Sequence, residues 1–195
     1  MKIYDISQEL LSSSLYPGDP APEGNKIMSM ADGDVCNLST LFMCAHNGTH
    51  TDAPAHFFID GATIDEMNIE IFVGECYVAR HAGTVTKSDA ENILQKAAKV
   101  YADKRILIAG KATVSEDAAE VFASRNIMLI GNESQTVGPE TAPARTHEIL
   151  LGKGIALLEG IRLDGVEEGK YILSAAPINV AGFDGSPCRA VLIEL

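Results

Sequence analysis

Three histidines and an aspartate fall within eleven residues of this chain, at His46, His50, Asp52 and His56, in the stretch CAHNGTHTDAPAHFF. Neutral imidazole is the commonest metal-binding side chain, and a carboxylate adds the negative charge that holds a divalent cation. The spacing HxxxHxDxxxH puts all four on even-numbered positions, which share one face of an extended chain. A helix could also pair His46 with His50 at i and i+4. Gly48, the β-branched Thr49 and Thr51, and Pro54 oppose a regular helix there, so an extended or irregular segment is expected. The pattern points to a metal centre, and therefore to water activation or carbonyl polarisation.

So few ligands leave a site incomplete, and others must come from elsewhere in the chain. Two histidines remain, His81 and His147. His81 follows a predicted strand with no carboxylate near it in sequence, and is read as a solvated strand-end residue. His147 lies in a predicted short helix, and Glu159 ends the next apolar strand beside Gly160. Strand ends next to glycine are where sites form in α/β folds. Their spacing alone only suggests that the two act together. Other nucleophile and ligand motifs are missing. Ser186 lacks the second glycine of a nucleophile elbow, Cys44 is offset by one position from the histidine face, and no GxxxxGK[ST] phosphate loop occurs.

The elements that must hold these side chains alternate through the middle of the chain. Strands are expected at Lys2 to Ser7, Lys26 to Met30, Cys36 to Ala45 and Gly74 to His81, the third leading directly into the histidine cluster. A turn-rich loop surrounds Tyr16-Pro17-Gly18-Asp19-Pro20. Ser88 to Val100 is expected as a helix with Ser88 and Glu91 forming its capping box. Arg105 to Ala109, Ile127 to Ile130, Ile155 to Leu158 and Ala190 to Ile193 are short apolar strands. Ser115 to Ser124 and Arg145 to Leu151 are helices, the first carrying Glu116 and Asp117 where they complement the helix dipole. This order predicts an α/β fold with a mixed β-sheet core and flanking helices, as a single domain over residues 1–195.

Bulk composition limits the partners. With 27 acidic and 15 basic residues the formal net charge is −12, which repels phosphate backbones and anionic lipid, so neither nucleic acid nor membrane is an expected partner. No apolar run approaches the roughly 18 residues of a membrane span, and MKIYDISQELL lacks the basic and apolar regions of a secretory signal. Cys36, Cys44, Cys76 and Cys188 show no CxxC pairing, which suits free thiols in a cytoplasmic protein.

The stretch HNGTHTDAPAHF from His46 to Phe57 resembles HxGTHxDxPxHF, the signature of the cyclase family that includes bacterial kynurenine formamidases and isatin hydrolases. The resemblance extends to Tyr4-Asp5-Ile6-Ser7, Tyr16-Pro17-Gly18-Asp19, Gly131-Asn132-Glu133-Ser134 and Asp184-Gly185-Ser186-Pro187 with Arg189-Ala190. It implies that His46, His50 and Asp52 bind one metal, and that Asp52, His147 and Glu159 bind a second. His147 and Glu159 stand twelve residues apart, as the corresponding pair does in the family. His56 matches the family's catalytic histidine. Tyr16 stands where the kynurenine formamidases carry a substrate-contacting tryptophan, and this chain has no tryptophan.

The resemblance also implies a cyclase-family fold and a homo-oligomer, dimer or tetramer. The expected activity is hydrolysis of an amide bond in a small substrate by metal-activated water, with zinc, or manganese in the isatin hydrolase manner. N-formylkynurenine is the first candidate substrate. A cyclic amide such as isatin, or a non-catalytic metal-binding role, is the alternative. Tyr16, Phe57 and Phe58 are expected around a flat substrate.

Overall fold

The apolar runs of the central chain assemble into a sheet that carries helices on one face. The computed structural model describes residues 1–194. Its first part holds strands β1 (Lys2–Asp5), β2 (Glu23–Met28), β3 (Leu38–Phe42) and β4 (His50–Asp52). Next come β5 (Val73–Arg80), β6 (Gly83–Val85), helix α1 (Lys87–Lys99), β7 (Arg105–Ala109), β8 (Ala112–Val114) and helix α2 (Glu116–Ala123). The chain continues with β9 (Leu129–Asn132), helix α3 (Ala144–Leu151), β10 (Ala156–Glu159), β11 (Gly169–Ser174), β12 (Gly185–Pro187) and β13 (Val191–Glu194).

Nine strands form one mixed sheet in the order β1-β13-β11-β5-β7-β9-β10-β4-β12. The neighbours β5, β7, β9 and β10 run parallel, and antiparallel strands extend the sheet on both sides. Parallel strands are covered on both faces, which is why β7, β9 and β10 are buried along their whole length. Ile106, Ile108, Ile130 and Leu157 pack against the helices through Ile93, Phe122 and Leu150. The alternate residues Leu107, Leu129, Ala156 and Leu158 pack with Phe72, Val78, Leu173 and Leu192 on the other face. Each fully buried side chain of this size stabilises the fold by about 1.5–3 kcal/mol.

The mixed sheet and flanking helices agree with the sequence expectation; several boundaries do not. Helix α1 is capped two residues earlier than predicted. The Thr86 hydroxyl and the Asp89 carboxylate form the capping box, in place of Ser88 and Glu91. That start sets Ala90, Ile93, Leu94 and Ala97 on the buried stripe, a spacing of three or four residues that keeps them on one helical face. The strand expected at Cys36 to Ala45 is only Leu38–Phe42, and it pairs with β2 in a separate two-stranded sheet. Its neighbour ends at Met28, because Met30 to Asp32 coil into a single 3-10 turn. The chain reaches the histidine cluster through a turn, in which the Asn47 amide donates to the Cys44 carbonyl.

Strands β6, β8, β11 and β12 have no counterpart in the sequence reading, and β4 was expected only as an extended or irregular segment; β4 and β12 build the site. β4 lies between β10 and β12, pairing His50 with Glu159 on one side and Asp52 with Gly185 on the other. Pro187 is tolerated in β12 because that strand is the sheet edge.

Candidate metal centre

The histidine cluster takes its shape from two close backbone approaches. Gly48 holds φ +66, a left-handed conformation that costs glycine little, and its turn swings His46 over the start of β4. Gly160 (φ +68) follows Glu159, and a Cβ there would stand 2.3 Å from the Gly48 carbonyl oxygen. The Thr49 hydroxyl donates to the Gly160 carbonyl at 2.8 Å, locking the two turns together. His50 and Asp52 then share the inward face of β4. His56 sits on the 3-10 turn Pro54–His56. The expected convergence therefore occurs, but only His50 and Asp52 reach it from an extended strand.

His147 arrives from α3 and Glu159 from the end of β10, beside β4. One cavity of about 210 Å³ is lined by His46, His50, Asp52, His56, His147, Glu159 and Tyr16, together with Phe57, Gln135 and Thr136. Phe57 stacks on His147 with ring centroids 4.9 Å apart. Phe58 does not belong to this cavity. It is 37% exposed and lines a surface groove beside Leu151 and Gly152, because the turn that directs Phe57 inward directs its neighbour outward. His81 lies outside the cluster, its ring 3.9 Å from Asp89.

Three histidines each spend one ring nitrogen outward and offer the other inward. His147 Nδ1 lies 2.9 Å from the Pro143 carbonyl, and His50 Nδ1 lies 3.2 Å from that of Gly48. A carbonyl only accepts, so both donate Nδ1–H, and in the neutral form that binds a metal each presents Nε2 as a lone pair. His46 Nε2 lies 2.9 Å from Asp184 Oδ2, which leaves its Nδ1 facing Asp52 at 2.9 Å. Such outward anchoring of the second nitrogen is the usual arrangement around metal-ligating histidine.

Two inward contacts are within hydrogen-bond distance, His46 Nδ1 to Asp52 Oδ1 at 2.9 Å and His147 Nε2 to Glu159 Oε1 at 3.1 Å, and the remaining spacings are those of ligands around a cation. His50 Nε2 is 3.4 Å from Asp52 Oδ1 and 3.6 Å from Glu159 Oε2, and His147 Nε2 is 3.7 Å from Asp52 Oδ2. Two ligands at about 2.1 Å from one tetrahedral ion stand roughly 3.4 Å apart. Asp52 Oδ2 is buried and has no hydrogen-bond partner, a costly state for a carboxylate oxygen unless an ion meets it. The donor set thus fits a divalent metal. Two trios, His50/Asp52/Glu159 and His46/Asp52/His56, each bring one ligand atom apiece within 4.8 Å of one another. Asp52 belongs to both.

The charge balance agrees. Burial pushes the Asp52 carboxyl up, but hydrogen bonds from His46 and His50 outweigh it and hold the group well below the usual carboxylate range. Burial opposes a charged His46, yet Asp52 and Asp184 raise it to about 10. His147 is raised against burial to about 9, chiefly by Glu159. His50 is raised as well, by Asp52 and Glu159 against full burial. Protons therefore sit in the metal-free centre where a cation would otherwise balance the carboxylates.

Asp184 was absent from the candidate residues drawn from the sequence. It lies 138 residues beyond His46 and contacts both His46 and His56. The only sequence signal for it was the Asp184-Gly185-Ser186-Pro187 resemblance, which carried no role. Ser186 is buried and donates to the Ile178 carbonyl, a structural bond.

Residues 4–139 match the model of a family described as "Putative cyclase". The chain is 31% identical over 207 residues to a kynurenine formamidase of Sphingopyxis alaskensis, covering 100% of this chain and 99% of that protein. A solved structure described as a potential metal-dependent hydrolase with cyclase activity superposes with a TM-score of 0.80 at 26% identity, covering 98% of this chain and 96% of the other. Isatin hydrolase A of Labrenzia aggregata shares the fold, with a TM-score of 0.78 at 21% identity and coverage of 98% and 93%.

Proposed function

This chain belongs to the cyclase family, and on that premise we propose that it is a metal-dependent hydrolase cleaving the C–N bond of a small amide. The observation that carries this reading is the buried Asp52 carboxylate, whose orphaned Oδ2 lies 3.7 Å from His147 Nε2 while its Oδ1 faces His46 and His50. In this reading His46, His50 and Asp52 would hold one ion, and Asp52, His147 and Glu159 a second. Zinc suits this mixed nitrogen and oxygen donor set, with manganese the alternative. A divalent cation there supplies Lewis acidity, activating water near neutral pH and polarising a carbonyl oxygen.

The chain's own groups supply the rest. His56, anchored through Nδ1 to Asp184 at 3.0 Å, keeps Nε2 available to take a proton from the attacking water. It returns that proton to the departing nitrogen as the C–N bond breaks. Its ring is 31% exposed, so it can reach the substrate side of the cavity. Tyr16 and Phe57 flank the cavity and offer apolar ring surface to a flat substrate. Replacing Tyr16 with Ala is expected to raise KM about two- to tenfold, the worth of one aromatic contact; an unchanged KM would remove Tyr16 from the substrate site.

The relatives named kynurenine formamidase support N-formylkynurenine as the first substrate to assay, with isatin beside it. Protein reconstituted with zinc or manganese is expected to release formate from N-formylkynurenine. Turnover of isatin alone would move the substrate to cyclic amides. Turnover of neither, across a panel of small amides, would contradict the hydrolase reading. All four cysteines are free, which suits a reducing cytoplasm. Among the described residues, no helix is long and apolar enough to cross a membrane.

The working form in this reading is a homo-oligomer. Every residue of β3 is exposed, including Leu38, Leu41 and Phe42. A two-stranded sheet is marginal on its own, and a partner copy covering this apolar surface would stabilise it.

A further inference from the structure

We propose that Asp184 is a positioning residue that sets the tautomers of His56 and His46 together. The proposal rests on reading His56 as the proton carrier and His46 as a metal ligand. One oxygen, Oδ2, stands 3.0 Å from His56 Nδ1 and 2.9 Å from His46 Nε2. The two rings lie side by side, centroids 4.2 Å apart and tilted by 32°. An ionised carboxylate only accepts hydrogen bonds, and a neutral imidazole has one N–H to give. In the neutral state that metal binding requires of His46, both rings therefore donate to Asp184. His56 is left with its lone pair on Nε2, and His46 with its lone pair on Nδ1, the nitrogen that faces Asp52 at 2.9 Å.

The backbone holds this carboxylate in place from both sides. The Ala53 amide donates to the Asp184 carbonyl at 2.9 Å, and the Ile64 amide donates to that of Phe183 at 2.8 Å. Gly185 pairs with Asp52 across β12 and β4. A Cβ at Gly185 would stand 2.7 Å from His46 Cε1, so the missing side chain is what lets Asp184 and His46 meet. His56 needs such an anchor. It sits on a short 3-10 turn, and its bond to Asp184 is the one hydrogen bond its ring makes among the described residues. Without Asp184 the proton on His56 is free to occupy either nitrogen. The Asp184 side chain is itself 45% exposed, so it contributes little to the core.

The test compares wild type, Asp184→Asn and Asp184→Glu. Three quantities are read: the His56 tautomer by isotope-labelled histidine NMR, zinc affinity, and steady-state hydrolysis of N-formylkynurenine at saturating zinc. In wild type, His56 should carry its proton on Nδ1. In Asp184→Asn that preference should be lost, zinc Kd should rise about 10–100-fold, and kcat should fall about 100-fold with KM within about threefold. Asp184→Glu, which keeps the carboxylate, should restore part of kcat and the Nδ1–H tautomer. An Asp184→Asn protein with an unchanged His56 tautomer, or with a kcat deficit that saturating zinc abolishes, would overturn the proposal. If wild type turns over no amide, the hydrolase reading fails, while the tautomer and zinc measurements still decide the role of Asp184.

Discussion

His147 Nε2 stands 3.7 Å from Asp52 Oδ2, beyond hydrogen-bond reach yet close to the spacing of two ligands on one ion. The two residues reach this point from α3 and from β4, and His147 is aimed there by its bond to the Pro143 carbonyl. The other oxygen of Asp52 faces His46 and His50. One carboxylate thus lies between two histidine groups, with both its oxygens buried. Such a carboxylate in a protein core is strongly unfavourable without positive charge on each side, and protons or a metal can supply it.

His56 should be separable from the metal ligands. His56→Ala is expected to keep its zinc content and to lose turnover by about 10²–10⁴-fold, the usual contribution of a positioned acid–base group. Parallel loss of zinc would make His56 a ligand, and unchanged turnover would remove it from the mechanism.

The metal-free protein should lose stability as pH rises. The folded-state pKa values of His46, about 10, and His147, about 9, lie above the ordinary value of 6.5. Their stabilising contribution is complete below about pH 6.5 and is lost as pH climbs through 9 to 10. Metal affinity should move the other way over the same window, because the competing protons leave. Thermal melts of apo and zinc-loaded protein from pH 6 to 10 test this. An apo Tm that is flat or rises across that range would contradict it.

Gly185 should tolerate no side chain. In Gly185→Ala the new Cβ would meet His46 Cε1 at 2.7 Å and the Thr51 carbonyl oxygen at 2.8 Å. Overpacking of this kind costs about 1–3 kcal/mol, and the displaced His46 should weaken zinc binding. A variant with wild-type zinc Kd and Tm would show that the edge strand moves aside without consequence.

The exposed hairpin should mark an interface between copies. Ile27, Leu41 and Phe42 are each more than half exposed. Sedimentation should give a dimer or tetramer, and a double substitution of Leu41 and Phe42 to Glu should shift it toward monomer. A wild-type monomer at micromolar concentration would contradict this.

The first half of the site could be read directly from the sequence, because His46, His50, Asp52 and His56 are local and their types are rare in such density. His147 and Glu159 were suggested by spacing and joined chiefly by resemblance, since their contact depends on α3 packing against β10. Asp184 carried no legible signal of its role. The strand that follows it is Gly-Ser-Pro, three residues of low β propensity held by edge pairing, and β4 is too short for periodicity to register. The first two helices were read with signals at their starts, Ser88 with Glu91 and Glu116 with Asp117, but the start of α1 was misplaced because Thr86 and Ser88 both head plausible capping boxes. The β2–β3 hairpin was read as two strands, and nothing in its alternation told that it would leave the main sheet.

The central claim is that Asp52 joins the two halves of a metal centre, and metal content tests it most directly. Purified wild type reconstituted with zinc or manganese and then desalted should hold one to two equivalents by elemental analysis, and Asp52→Ala, folded by circular dichroism, should hold almost none. Wild-type protein that retains no metal after such loading, or an Asp52→Ala variant that retains as much as wild type, would contradict the account.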